Sequence, residues 1–200
     1  MKLISLLTTL LISTFVFSQV ENDTLSVTGN NLFSKNNSEK IDTFTFDING
    51  LTPKVLIIDI EGLSKNDLLT KAIAWAKEKY GNFEEAVQIK DKNKKIAIRG
   101  FADNALCFGV KPDYKCEGLS YNLVLTIQNG KYRFKPTRLS YNTSANKRTW
   151  VNLNKSAFHE SSTTLKKGHD NVPSQIEALF NNLNKSLQNY LNDKMQEDEW

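Results

Sequence analysis

Between Val55 and Gly100 the hydrophobic period changes from a continuous apolar run to helical spacing and then to alternation, an order that few folds accommodate. The run VLIIDI has strand length, is interrupted only by Asp59, and reads as a central strand covered on both faces. Gly62 breaks the chain after it. Ser64, with Asp67 at the third position on, is suited to cap the free N–H groups of a first turn, so a helix is predicted to begin near Lys65. Leu69, Ala72, Ile73, Ala76 and Tyr80 recur at helical spacing and Leu68 and Trp75 widen the stripe, while Lys71, Lys77, Glu78 and Lys79 fall mostly outside it. Gly81 and Asn82 tolerate a left-handed backbone and are expected to end the helix. Val87 and Ile89 then alternate with Gln88 and Lys90. After a polar turn from Asp91 to Lys94, Ile96 and Ile98 resume the alternation, so the predicted unit is strand, helix, hairpin.

A second hairpin lies further on. Leu119, Tyr121, Leu123, Leu125 and Ile127 share one face of a strand, Asn129-Gly130 is the strongest turn signal in the chain, and Tyr132 and Phe134 continue the apolar face on the return. Pro136 implies an edge or a bulge there. Pro173 and Ser174 open a final helix with a long stripe running from Ile176 through Phe180, Leu183 and Leu187 to Leu191 and Met195. Docking of this stripe on the same sheet face as the first helix is favoured over a coiled-coil partner. Upstream, Phe44, Phe46 and Ile48 alternate with Thr43, Thr45 and Asp47, a half-buried strand ended by Asn49-Gly50 that is expected to add to the sheet edge.

The stretch from Gly62 to Gly100, with its glycine, capped helix, internal Trp75 and glycine-terminated strand, together with LSYNLVLTIQNGKYRFKPTRLSY, resembles an uncharacterised bacterial family. That family is described as a domain of unknown function with a TATA-binding-protein-like fold, and the resemblance covers roughly Pro53 to Asn142. It implies an α+β fold: a TBP-like curved antiparallel β-sheet with two long helices packed on one face. It implies no reaction and assigns no site residues.

Two hundred residues with 40% hydrophobic content suit one domain, placed at 41–196. Ahead of it, residues 1–18 read as a signal peptide, with Lys2, an apolar core from Leu3 to Phe17, and Val16 and Ser18 before the cleavage point. The core is short and carries several Ser and Thr, which argues against a membrane anchor. Residues 19–40, rich in Asn, Ser and Thr, read as a flexible linker. The protein is therefore expected to be exported, to the periplasm or beyond the cell.

Candidate chemistry is sparse. The only cysteines, Cys107 and Cys116, flank a turn with Gly109, Pro112 and Asp113, and an even count in an exported chain favours a disulfide over two buried thiols. Without a histidine near them they do not make a metal site. Both histidines, His159 and His169, fall in the long polar segment Thr143–Asn171. His159 beside Glu160 is weighed as the start of a site, but solvated histidines are the favoured reading. Asp59, in its apolar strand, has no second titratable group at a recognisable catalytic spacing, and the favoured reading places it near a strand end or bonded to a neighbour. Five Asn-x-Ser/Thr sequons, at Asn22, Asn36, Asn142, Asn154 and Asn184, are what so much asparagine yields by chance. No nucleophile elbow, phosphate loop or calcium loop is present, and no catalytic residue, metal ligand or cofactor is expected.

Alternation supplies one further expectation. Placing Val87, Ile89, Ile96, Ile98, Leu123, Leu125, Tyr132 and Phe134 in the core sends Lys90, Arg99, Lys131, Arg133 and Lys135 to the opposite face, a candidate anion-docking surface. An ordinary solvated sheet face is the plainer reading of the same charges. The formal charge of +4 and pI near 8.9 permit an anionic partner without demanding one. The reading is an exported, non-catalytic binding or interaction module, with an envelope protein or anionic envelope component as partner and nucleic acid disfavoured. The alternative is an enzyme or small-ligand carrier whose pocket lies between sheet and helices.

Overall fold

Three long antiparallel strands, β5 (Lys95–Phe108), β6 (Lys115–Gln128) and β7 (Lys131–Asn142), carry the fold. The computed structural model describes residues 43–91, 94–142 and 147–193, all of which fall in one compact unit, Glu39–Trp200. The expected signal peptide, the linker and Met195 lie outside the described residues. In chain order the other elements are β1 (Thr45–Asp47), β2 (Gly50–Thr52), β3 (Leu56–Asp59), α1 (Lys65–Lys79), α2 (Phe83–Ala86), β4 (Val87–Lys90), β8 (Arg148–Val151) and α3 (Val172–Asn192). The main sheet runs β3-β7-β6-β5-β4, and β8 joins β7 alongside Leu139–Asn142 while β3 joins it alongside Lys131–Phe134. It is an α+β fold with an antiparallel sheet.

Both long helices lie on the face that holds Tyr121 and Tyr132. Ser64 caps α1, its hydroxyl accepting from the Asp67 N–H at 3.3 Å. The α1 stripe buries Leu68, Leu69, Ala72, Trp75 and Ala76, and the α3 stripe buries Ile176, Phe180, Leu183, Leu187 and Leu191. Trp75 ties the helices together, donating its Nε1–H to the Ser186 hydroxyl at 3.1 Å. Two buried polar pairs bind the helices to the sheet. The Tyr80 and Tyr121 hydroxyls lie 3.1 Å apart, and Tyr132 donates to Asn184 Oδ1 at 2.8 Å. Burial is the main force that pushes Tyr80 and Tyr121 above the ordinary tyrosine value of 10.0.

Several expectations are corrected. VLIIDI is an edge strand, not a central one: Leu56, Ile58 and Ile60 are buried, while Ile57 is 49% exposed and Asp59 is exposed too. Helices cover only one face, and the alternation was hidden because Ile57 is apolar. Ile89, expected in the core, is 45% exposed because it sits near the end of β4, the outermost strand on its side. Helix α1 ends at an extended Tyr80 with φ −118°, without the left-handed cap expected at Gly81-Asn82. Pro136 marks a bulge, where the β6–β7 register shifts between Asn122 and Leu123.

The strand around Phe44 and Phe46 does not extend the main sheet. It pairs with β2 as a separate hairpin lying on α3. The Phe44 N–H donates to Asn181 Oδ1 at 2.7 Å, Asn181 Nδ2 returns a bond to the Phe44 carbonyl at 2.9 Å, and the Phe46 N–H donates to Glu177 Oε1 at 2.7 Å. Two side chains of a helix thus stand in for a partner strand.

The polar segment after β7 is anchored by packing at several of its described residues. Val151 and Phe158 are buried, the Gly109 N–H donates to the Gly168 carbonyl at 2.8 Å, and His169 stacks on Phe108 with ring centres 5.3 Å apart. The expectation of solvated histidines therefore fails for His169. His159 has its Nδ1 2.8 Å from the Ser156 hydroxyl.

Candidate anion-docking face

The face away from the helices is assembled by register. On the described strands, Lys90 pairs with Lys95, Lys95 with Thr126, and Thr126 with Arg133, a row running across four neighbouring strands. The next row on this face carries Ala97, Val124 and Lys135. Together these residues, with Asp91, Val55 and Thr137, line a groove of about 460 Å³. Its floor is small and apolar while its walls are cationic.

The charges in the groove are unequal in availability. Lys95 is ion-paired to Asp91, and that pairing holds the Asp91 carboxyl below its ordinary value. Lys90, Arg133 and Lys135 make no ion pair among the described residues. Like charges held close in a recess raise the local anion concentration, and the effect weakens as salt rises.

Of the five residues expected on the face, Lys90, Arg133 and Lys135 come together in the groove. Arg99 lies further along the same face, opposite Asn122, and Lys131 lies at the sheet corner opposite Asp59 and Gln128. The groove adds Lys95, whose place beside the core residue Ile96 was readable from alternation. Beyond Arg99 the face continues through Arg138, Arg148, Phe101 and Trp150. Arg138 escaped because the bulge shifts the phase of β7 ahead of it, and Arg148 and Trp150 because β8 is a short strand inside a polar segment, whereas Phe101 follows the same alternation as Arg99.

Cys107 and Cys116 are paired in register near the end of the β5–β6 hairpin, 4.0 Å apart at Cα, and their sulfurs are bonded. They close the sheet end beyond Phe101. Among the described residues, no group of three or more His, Cys, Asp or Glu is placed to hold a metal ion.

An antiparallel sheet with two long helices on one face accords with the fold expected from the sequence. Residues 56–142 match the family described as domain of unknown function (DUF4468) with TBP-like fold. A DUF4468 family protein from Bacteroides ovatus superposes with a TM-score of 0.55 at 12% identity, over 70% of this chain and 85% of that one. A TBP-like protein from Parabacteroides distasonis covers 70% of this chain and 91% of its own at 16% identity, with a TM-score of 0.48. No curated protein matches the chain. The DUF4468 match includes the whole basic groove apart from Val55, and it stops before Arg148, Trp150 and α3.

Proposed function

We propose that this protein is an exported, non-catalytic binding module that holds an acidic polymer of the cell envelope on the helix-free face of its sheet. One observation carries the reading: Lys90, Arg133 and Lys135 converge on a single groove without ion-pair partners among the described residues. Export is supported by the leader-like Met1–Gln19 segment and by the bridged cysteines. The alternative, an enzyme or carrier with a pocket between sheet and helices, has less support. That interface is occupied by Leu68, Ala72, Trp75, Phe134 and Phe180, and its tyrosine hydroxyls already have partners.

The test is binding of the wild type and a Lys90→Ala/Arg133→Ala/Lys135→Ala variant to an immobilised acidic polysaccharide at low and physiological ionic strength. Salt-dependent binding by the wild type and its loss in the variant are expected. Equal binding by the two proteins would overturn the assignment of the groove.

A further inference from the structure

We propose that the far end of the same face is a platform of aromatic rings and guanidinium groups, and that the acidic polymer it receives is a uronate-rich polysaccharide. The inference rests on the docking face proposed above. Phe101, Ser120, Ser140 and Trp150 form one row across four adjacent strands. Three strand spacings separate the two aromatics by about 14 Å, with Ser120 and the buried Ser140 between them.

Both aromatics stay out of the core, with Phe101 62% and Trp150 57% exposed. The distal edge of the Phe101 ring rests over Gly118, where any Cβ would overlap its Cζ and Cε2 atoms. The tip of the ring thus rests on the sheet while most of the side chain stays open to solvent. Trp150 carries two guanidinium groups, those of Arg138 and Arg148, 5.9 and 5.8 Å from its ring centre. Neither arginine makes an ion pair among the described residues, so their donors are available for a carboxylate.

The spacing selects the ligand. A uronic acid carries an apolar C–H ring face and a carboxylate on one unit, which suits an aromatic ring with a guanidinium less than 6 Å from its centre. In a nucleotide the sugar separates the base from the phosphate. A lipid surface is best met by side chains that project from a rim, whereas here a ring rests on the sheet and other cations line a recess. The strip from Lys95 to Phe101 extends about 20 Å along β5, a length that suits a linear chain.

The experiment measures binding of the wild type, Trp150→Ala and Phe101→Ala to polygalacturonate, its methyl-esterified form, a single-stranded oligonucleotide and anionic phospholipid vesicles. Both side chains are exposed, and unchanged melting certifies each variant. The wild type is expected to prefer polygalacturonate, with the neutral ester much weaker. Each aromatic substitution should weaken polygalacturonate binding about 3- to 10-fold. Salt-dependent polygalacturonate binding that survives both substitutions removes the ring platform but leaves the docking face. Tighter binding to oligonucleotide or vesicles overturns the polysaccharide assignment, and absence of salt-dependent binding to every charged probe overturns both proposals.

Discussion

Tyr132, in the middle of the sheet, donates its hydroxyl hydrogen to Asn184 on α3 at 2.8 Å, and Asn184 is only 2% exposed. This bond ties α3 to β7 from within the buried core. Asn184→Ala removes the buried acceptor and should lower stability by about 1–3 kcal/mol, read from the urea midpoint. Tyr132→Phe/Asn184→Leu should cost less than the sum of the single changes. An unchanged midpoint for Asn184→Ala would show that the bond is idle. Burial of the Asn184 side chain also removes that sequon from the residues open to glycosylation in the folded state.

The Tyr80–Tyr121 pair makes stability sensitive to alkali. Burial raises both hydroxyls above 10.0, so the folded state favours the protonated form. The contribution is fully present below the unfolded value and is lost as pH rises past it toward the higher folded value. Chemical denaturation should therefore give a flat stability up to about pH 9.5 and a decline beyond it. In Tyr80→Phe/Tyr121→Phe the decline should be shallower; an identical slope would refute the assignment.

Asn181→Ala breaks two bonds to the Phe44 backbone at once. Hydrogen exchange of the Phe44 amide should accelerate while the β6 amides keep their protection, since the hairpin opens as a local unit. Uniform acceleration across the sheet would contradict a local role.

Mature protein recovered from outside the cytoplasm should begin near Gln19, and its two thiols should resist iodoacetamide until reduced. Intact-mass spectrometry reads both. A retained leader or two alkylated cysteines in unreduced protein would each refute its half of the expectation. Cys107→Ser/Cys116→Ser should lower stability by about 2–3 kcal/mol, because the bridge closes a short loop.

Local signals with a single outcome were legible in the sequence. Ser64 caps α1 as expected, Gly130 turns the β6–β7 hairpin at φ +66°, and the stripes of α1 and α3 are the faces that become buried. What escaped were features decided by neighbours. Whether Ile57 meets a helix or solvent depends on how many layers the sheet has, which VLIIDI does not encode. Ile89 repeats the pattern of Val87, yet its exposure follows from its position near the sheet edge. Part of the basic face was readable, because Lys90, Arg133 and Lys135 follow simple alternation. Arg138 was not, since the extra residue at the bulge reverses the parity of β7 after Pro136.

The order in which the elements find one another bears on how the chain is made. Leu56 pairs with Phe134, and the Phe44 amide waits for Asn181, 137 residues downstream. Contacts this distant in sequence fold slowly and cannot form while the ribosome still holds the second partner. The β1–β2 hairpin has nothing to lie on until α3 has been translated, so the earliest described elements must wait for the most distant one.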